Sequence, residues 1–329
     1  AVLALRLLDK LLADNEINNS YVQQRLTASK GMSMLQADYH PFRDDVQIPL
    51  IMAALLQDIG SCHPDAQLIL KGPDGTADEF RVLDNDERIA LLQISFREGL
   101  KYFTQGLGLD KYAGNSRDER ELHLKREAER QNFVLFLLKN AVKPEHGIGN
   151  LLKIPQIYTS VVLSTKSNYS YDALPKVALV LEKGVEKGVY SKVAVEALLA
   201  ITGVFPQGYG VTYIPKDSDR QDLDRYEYAI VTGLYPADIR QPICRMVTRN
   251  LTYNVSAQGC IISVDNNLYY PTARKKLERI SEERLLEILS KLVSNFEERK
   301  NMPLLPRCWY PEEYFSYVKN QNLWNKVVI

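Results

Sequence analysis

The apolar residues of this chain change period near residue 205, and that change limits the folds open to it. As far as residue 204, apolar side chains recur every three or four positions, the spacing of one face of an α-helix. Ala4, Leu7, Leu8 and Leu11 make the first stripe, ended by the polar run Asp14-Asn15-Glu16. A second helix is expected over residues 22–35. A third opens at Asp44-Asp45, because acidic side chains and an early proline, Pro49, suit the unpaired N–H groups of a helix start. Met52, Leu55, Leu56 and Ile59 form its expected buried stripe, with Gly60 as its C-terminal cap. Further helices are expected over 79–103, 117–130, 132–142, 174–186 and 191–202, with Leu198 and Leu199 buried in the last.

From Phe205-Pro206 onward the apolar segments become short and rich in β-branched and aromatic residues. They cover 211–214, 226–232, 244–248, 251–255 and 260–264, and Gly, Pro, Asp and Asn separate them. This is the pattern of a small antiparallel sheet. Ser281 then starts a last helix, with Leu285, Ile288, Leu289, Leu292 and Phe296 as its stripe. A tail with Pro303, Pro306, Pro311 and both Trp residues is expected to pack back on the core. The fold class expected is mainly α: a helical bundle over 1–204, a small antiparallel β subdomain over 205–275, and a C-terminal helix and tail over 276–329.

Composition narrows the function classes. At 329 residues and 45% hydrophobic, the chain can bury a core without disulfide or metal staples. Lys+Arg and Asp+Glu both number 41, so there is no strong nucleic-acid signal. No apolar run approaches the roughly 18 residues of a membrane span. The first twelve residues carry neither a basic region nor a cleavage pattern, so they are not read as a signal peptide. Cys62, Cys244, Cys260 and Cys308 are scattered with no CxxC pair, which suits free thiols and a cytoplasmic protein. No HExxH, Walker loop, GxSxG or EF-hand loop occurs. The charged run 117–130 is read as a solvated helix face with local ion pairs. Gly147-Ile148-Gly149 lacks a preceding strand and is read as a turn. Tyr209, Tyr213, Tyr226, Tyr228 and Tyr253 are read as strand packing residues rather than as a ligand groove.

Met52-Ala53-Ala54-Leu55-Leu56-Gln57-Asp58-Ile59-Gly60 resembles the signature helix of HD-domain phosphohydrolases, the HD-GYP branch in particular. In that family the helix reads Ala-Ala-Leu-Leu-His-Asp-Ile-Gly. His63-Pro64-Asp65 resembles the family's Pro-Asp turn, and residues 71–80 its turn into the next helix. Ile154-Pro155-Gln156-Ile157-Tyr158-Thr159 resembles the later helix that carries an Asp followed by Tyr. Phe205-Pro206-Gln207-Gly208 and the strand after it resemble the family's ending. The resemblance runs from residue 22 to 264 and is loosest between 103 and 150.

The family holds two or three metal ions with His and Asp side chains; the ions generate hydroxide and clamp the phosphate. Against that pattern, residues 22–35 contain no His, Gln57 stands for the motif His, Asp86 for the next ligand His, and Gln156 for the late Asp. The paired His and the Gly-Tyr-Pro loop have no counterpart. A carboxamide is a weak, uncharged ligand. Asp58 is the signature ligand retained. The resemblance therefore implies a bacterial HD-GYP-like signal-transduction protein without catalysis or cofactor, a pseudoenzyme. Gln57, Asp58, Asp86 and Gln156 are its vestigial positions, and Gln57 is expected to turn its amide into the bundle centre. It would bind a signalling protein partner or a nucleotide and be linked to cyclic di-GMP; a homo-oligomer is left open. The alternatives are a metal-dependent phosphohydrolase, a cyclic di-GMP phosphodiesterase with Mn or Fe on Asp58, His63 and Asp86, or a nucleotide sensor.

Overall fold

The computed structural model describes residues 1–35, 38–144, 148–166, 168–253, 258–292 and 303–320. The chain is mainly α, with a small antiparallel sheet in its second half. It divides into two compact units: Ala1–Tyr169 with Leu179–Leu198, and Ser170–Ala178 with Leu199–Ile329. Among the described residues, no helix is long and apolar enough to cross a membrane.

The first unit is helical. Helix α1 (Val2–Ala13) buries Ala4, Leu7, Leu8 and Leu11, the stripe its period predicts. Helix α2 (Ser20–Ala28) is capped by Asn19, whose side chain accepts from the Val22 N–H. It stops seven residues earlier than expected. The Ser29 hydroxyl donates back to the Arg25 carbonyl and also accepts the Phe42 N–H, so the chain turns there. The third helical segment begins as a π-turn, Arg43–Gln47, and continues as α3 (Ile48–Leu56). Its acidic start is not a solvated dipole partner, because Asp44 and Asp45 are both buried.

The buried face of α3 differs from the expected one. Val46, Leu50 and Ala53 are buried, whereas Leu55 is 68% exposed, Met52 is exposed, and Leu56 and Ile59 are half-buried. The sequence Ile-Pro-Leu-Ile-Met-Ala-Ala-Leu-Leu is apolar on every side, so period alone cannot choose its inward face. Nor is Gly60 a left-handed cap. It lies in a 3₁₀ turn, Ile59–Cys62, that packs on α5 (Asn85–Lys101). Between them runs α4 (Pro64–Lys71). Helix α5 starts at 85 rather than 79, because Asp84 and Glu87 close a capping box. It runs into a second π-turn, Tyr102–Leu107. The segments 117–130 and 132–142, read as two, join in the single helix α6 (Arg117–Lys139), which ends three residues early, since no breaker separates the charged part from the apolar part. Helix α7 (Asn150–Val162) follows. Helices α8 (Val177–Glu186) and α9 (Lys192–Thr202) each contain a boundary between the units.

In the second unit, strands β1 (Gly210–Tyr213), β2 (Glu227–Val231), β3 (Ile243–Met246) and β6 (Gly259–Ile261) form an antiparallel sheet in the order β1-β2-β3-β6. Thr212 pairs with Tyr228, Ile230 with Arg245, and Cys244 with Cys260. A small hairpin joins β4 (Thr248–Arg249) to β5 (Thr252–Tyr253). Its turn residues Asn250 and Leu251 have φ of 54° and 56°, and the Glu227 carboxylate accepts both their N–H groups at 2.7 and 3.0 Å. Strands β1 and β2 are buried along their whole length, with apolar clusters on both faces. Trp309 of the tail stacks on Tyr228 at 4.9 Å and donates to the Ala229 carbonyl. Tyr209, Tyr213, Tyr226 and Tyr228 are buried packing residues. Helices α10 (Pro271–Leu277) and α11 (Glu282–Leu292) follow, and Ser281 caps α11 through the Arg284 N–H. Leu285 is buried; Phe296, Trp324 and the end of strand 251–255 lie outside the described residues.

Candidate functional site

The end of α3 and one face of α7 converge on Asp58. Lys153 and Gln156, three residues apart on α7, stand on the same side of that helix. The Gln156 amide nitrogen donates to both Asp58 carboxylate oxygens, at 2.8 and 2.7 Å. Its amide oxygen accepts from the Lys153 ammonium at 2.9 Å. This arrangement fixes the amide's orientation: a carboxylate only accepts and an ammonium only donates, so the NH₂ must face Asp58. An uncharged side chain thus separates a cation from an anion and bonds to both. Burial pushes the Lys153 amine below its ordinary pKa, and the Asp58 charge opposes that shift.

The other predicted positions each have partners of their own. Gln57 is half-buried, and its amide is spent on its own helix, donating to the Ala54 carbonyl at 3.2 Å. His63 caps α4: its Nδ1 accepts the Asp65 N–H, which leaves the ring proton on Nε2. That Nε2 lies 4.0 Å from Glu98. Glu98 is itself held by Lys101 and Arg97, which bring its carboxyl down to about 2. Asp86 is exposed in the first turn of α5, a favourable place for a negative charge.

Among the described residues, no group of three or more His, Cys, Asp or Glu side chains could hold an ion. The groups bonded to Asp58 are N–H donors backed by an ammonium.

A second polar network was not foreseen. Asp45, 3% exposed, accepts from the Tyr39 hydroxyl at 2.6 Å and from Arg130 Nε at 2.9 Å, with Arg25 Nε at 3.7 Å. Arg25 also pairs with Glu129, and Arg130 with Glu127. The Arg126 guanidinium lies 4.0 Å over the Tyr39 ring. Burial first, and then the hydrogen bond to Asp45 and its charge, push the Tyr39 hydroxyl up to about 12; burial, opposed by Arg25 and aided by Asp45, pushes Tyr21 up to about 12 as well. The run 117–130 is thus no simple solvated face, since several of its charges are tied to α2 and to the first π-turn. The signal for this was Arg126, Arg130 and Val134 at four-residue spacing, which continues an inward face through the charged part. Comparison with known protein families, with curated proteins and with solved structures finds no match.

Proposed function

We propose that this chain is a non-catalytic HD-GYP-like protein acting as a binding or scaffold module in bacterial cytoplasmic signalling linked to cyclic di-GMP. The signature segment Ala53 to Gly60 with its Asp58, and the later segment around Gln156 and Tyr158, support the reading. One observation carries it: the carboxylate retained from the signature is bonded through both oxygens to the amide that stands for the family's late Asp. Cleavage of a phosphodiester by this chemistry depends on metal ions to make hydroxide and neutralise the phosphate, and their loss forfeits many orders of magnitude in rate. An amide donor in that position satisfies Asp58 without an ion, and the bundle keeps its packed helices as a scaffold.

The test is a turnover assay of cyclic di-GMP with added Mn or Fe, on wild type, Gln57→His, Gln156→Asp and Asp58→Ala. No hydrolysis is expected from any of the four, because each single change leaves the other ligand positions empty of His. Metal-dependent hydrolysis by the wild type that vanishes in Asp58→Ala overturns the proposal in favour of an atypical phosphodiesterase.

A further inference from the structure

The first unit contains a cavity of about 570 Å³, within the range of small-molecule sites at roughly 300–1,000 Å³. Neither Asp58 nor Gln156 lines it. Met52 of α3 and Phe103, Leu107 and Val134 give it an apolar wall. Both π-turns found among the described residues border it, one through Asp44 and the other through Phe103 and Leu107. Such turns are rare and recur at functional sites, because the widened turn re-aims side chains.

Arg126 stands out among the basic residues on this wall. Arg130 is taken by Asp45 and Glu127, and Arg43 beside the cavity by Asp44. Arg126 stacks on Tyr39 and has no carboxylate partner among the described residues. Stacking uses the flat face of a guanidinium and leaves its in-plane N–H groups for a planar acidic group. Tyr39 and Arg126 also line a neighbouring hollow of about 290 Å³, which Lys125 borders as well. The acids of that hollow, Asp45 and Glu129, are already paired. In the larger cavity Asp44 and Glu127 are paired too. Asp38 and Asp110 line the cavity as exposed residues, so solvent screens their charge in part.

We propose that this cavity binds a small organic anion. Its single acidic group would sit on Arg126, and its flat apolar body against Met52, Phe103, Leu107 and Val134. The acidic group is a carboxylate or a phosphate; both offer the paired oxygens a guanidinium takes, and the exposed Asp38 and Asp110 exclude polyanions.

The test is calorimetric titration of the full chain with 1-naphthoate, 1-naphthyl phosphate and the uncharged 1-naphthalenemethanol. At least one of the two acids binds, and the alcohol binds about tenfold more weakly or less, the worth of a charged hydrogen-bonded pair. Arg126→Gln removes that difference, and Met52→Trp, which fills the cavity, abolishes binding of the acid with Arg126 intact. If both acids bind, the acidic group is what is read; if one binds, it names the source. No binding of either acid, an alcohol that binds as well as the acids, or acid binding unchanged by either variant overturns the proposal. Near-ultraviolet circular dichroism checks that the variants fold. Should Arg126→Gln not fold, the acid–alcohol comparison on wild type, together with Met52→Trp, still decides.

Discussion

Gly60 lies so close to α5 that a Cβ built on it would sit 2.0 Å from the carbonyl oxygen of Ser95. No left-handed φ is involved; the glycine is required by contact alone. The turn that follows Asp58 is thereby pressed onto α5, opposite Gly99, whose own Cβ would have ordinary room at 3.8 Å. Gly60→Ala is expected to cost about 1–3 kcal/mol, because backbone must move. Gly99→Ala, inside a helix, is expected to be neutral or to stabilise by up to about 1 kcal/mol. Urea unfolding of the two variants measures both, and equal effects would refute the close contact.

The inward face of α3 makes a second contrast. Leu50 is buried and Leu55 is 68% exposed. Leu50→Ala is expected to cost about 2–5 kcal/mol, and Leu55→Ala to stay within about 0.5 kcal/mol. The reverse order in denaturant midpoints would mean that the helix is rotated.

Lys153 sets a pH dependence. Its amine has a lowered pKa when folded, against 10.5 when unfolded. Below the folded pKa both states hold the proton, and the folded state bears the cost of a buried ammonium. As pH rises from the folded pKa toward 10.5, the folded chain loses this proton first and the cost fades. Wild type should therefore gain stability relative to Lys153→Met over that alkaline window. A difference that stays constant with pH would show that burial does not perturb this amine.

Asp45 anchors the tyrosines beside it. Because the Tyr39 and Tyr21 hydroxyls are pushed up to about 12, their contribution to stability is complete below the ordinary tyrosine value and is lost as pH passes about 12. Ultraviolet titration of tyrosinate should find these two among the late-ionising group, and Asp45→Asn should bring Tyr39 down. Asp45→Ala should cost about 2–3 kcal/mol, less than for a fully buried pair because Arg25 and Arg130 still reach water.

Of the four thiols, Cys62 is exposed, while Cys244 and Cys308 are buried. Burial pushes the Cys244 and Cys308 thiols up and brings Cys260 to about 11. One thiol should react quickly with a disulfide reagent in the native state and the rest only on unfolding. Cys62→Ser should remove the fast phase, and a surviving fast phase would contradict the slow reaction expected of half-buried Cys260 and of buried Cys244 and Cys308.

Much of this architecture is a local property of the chain and could be seen in it. Helix α1 has four buried positions on one stripe with polar residues between them, so its period names its face. The strands are short, β-branched and separated by turn residues, and they pair antiparallel with their neighbours. Ser191, Ser281 and Gly203 mark helix ends because caps act within one turn. Other features depend on what distant segments present. An all-apolar α3 has no preferred face until α1, α6 and α7 pack on it. Gln156 and Asp58 are 98 residues apart, and neither side chain carries a mark of its partner. The same holds for Asp45 with Arg130, and for the cavity assembled from residues 38–52, 103–110 and 123–134. Periodicity and capping are energies of neighbouring turns, so sequence determines them; pairing of polar groups and choice of face are energies of packing, which exist only once the helices meet.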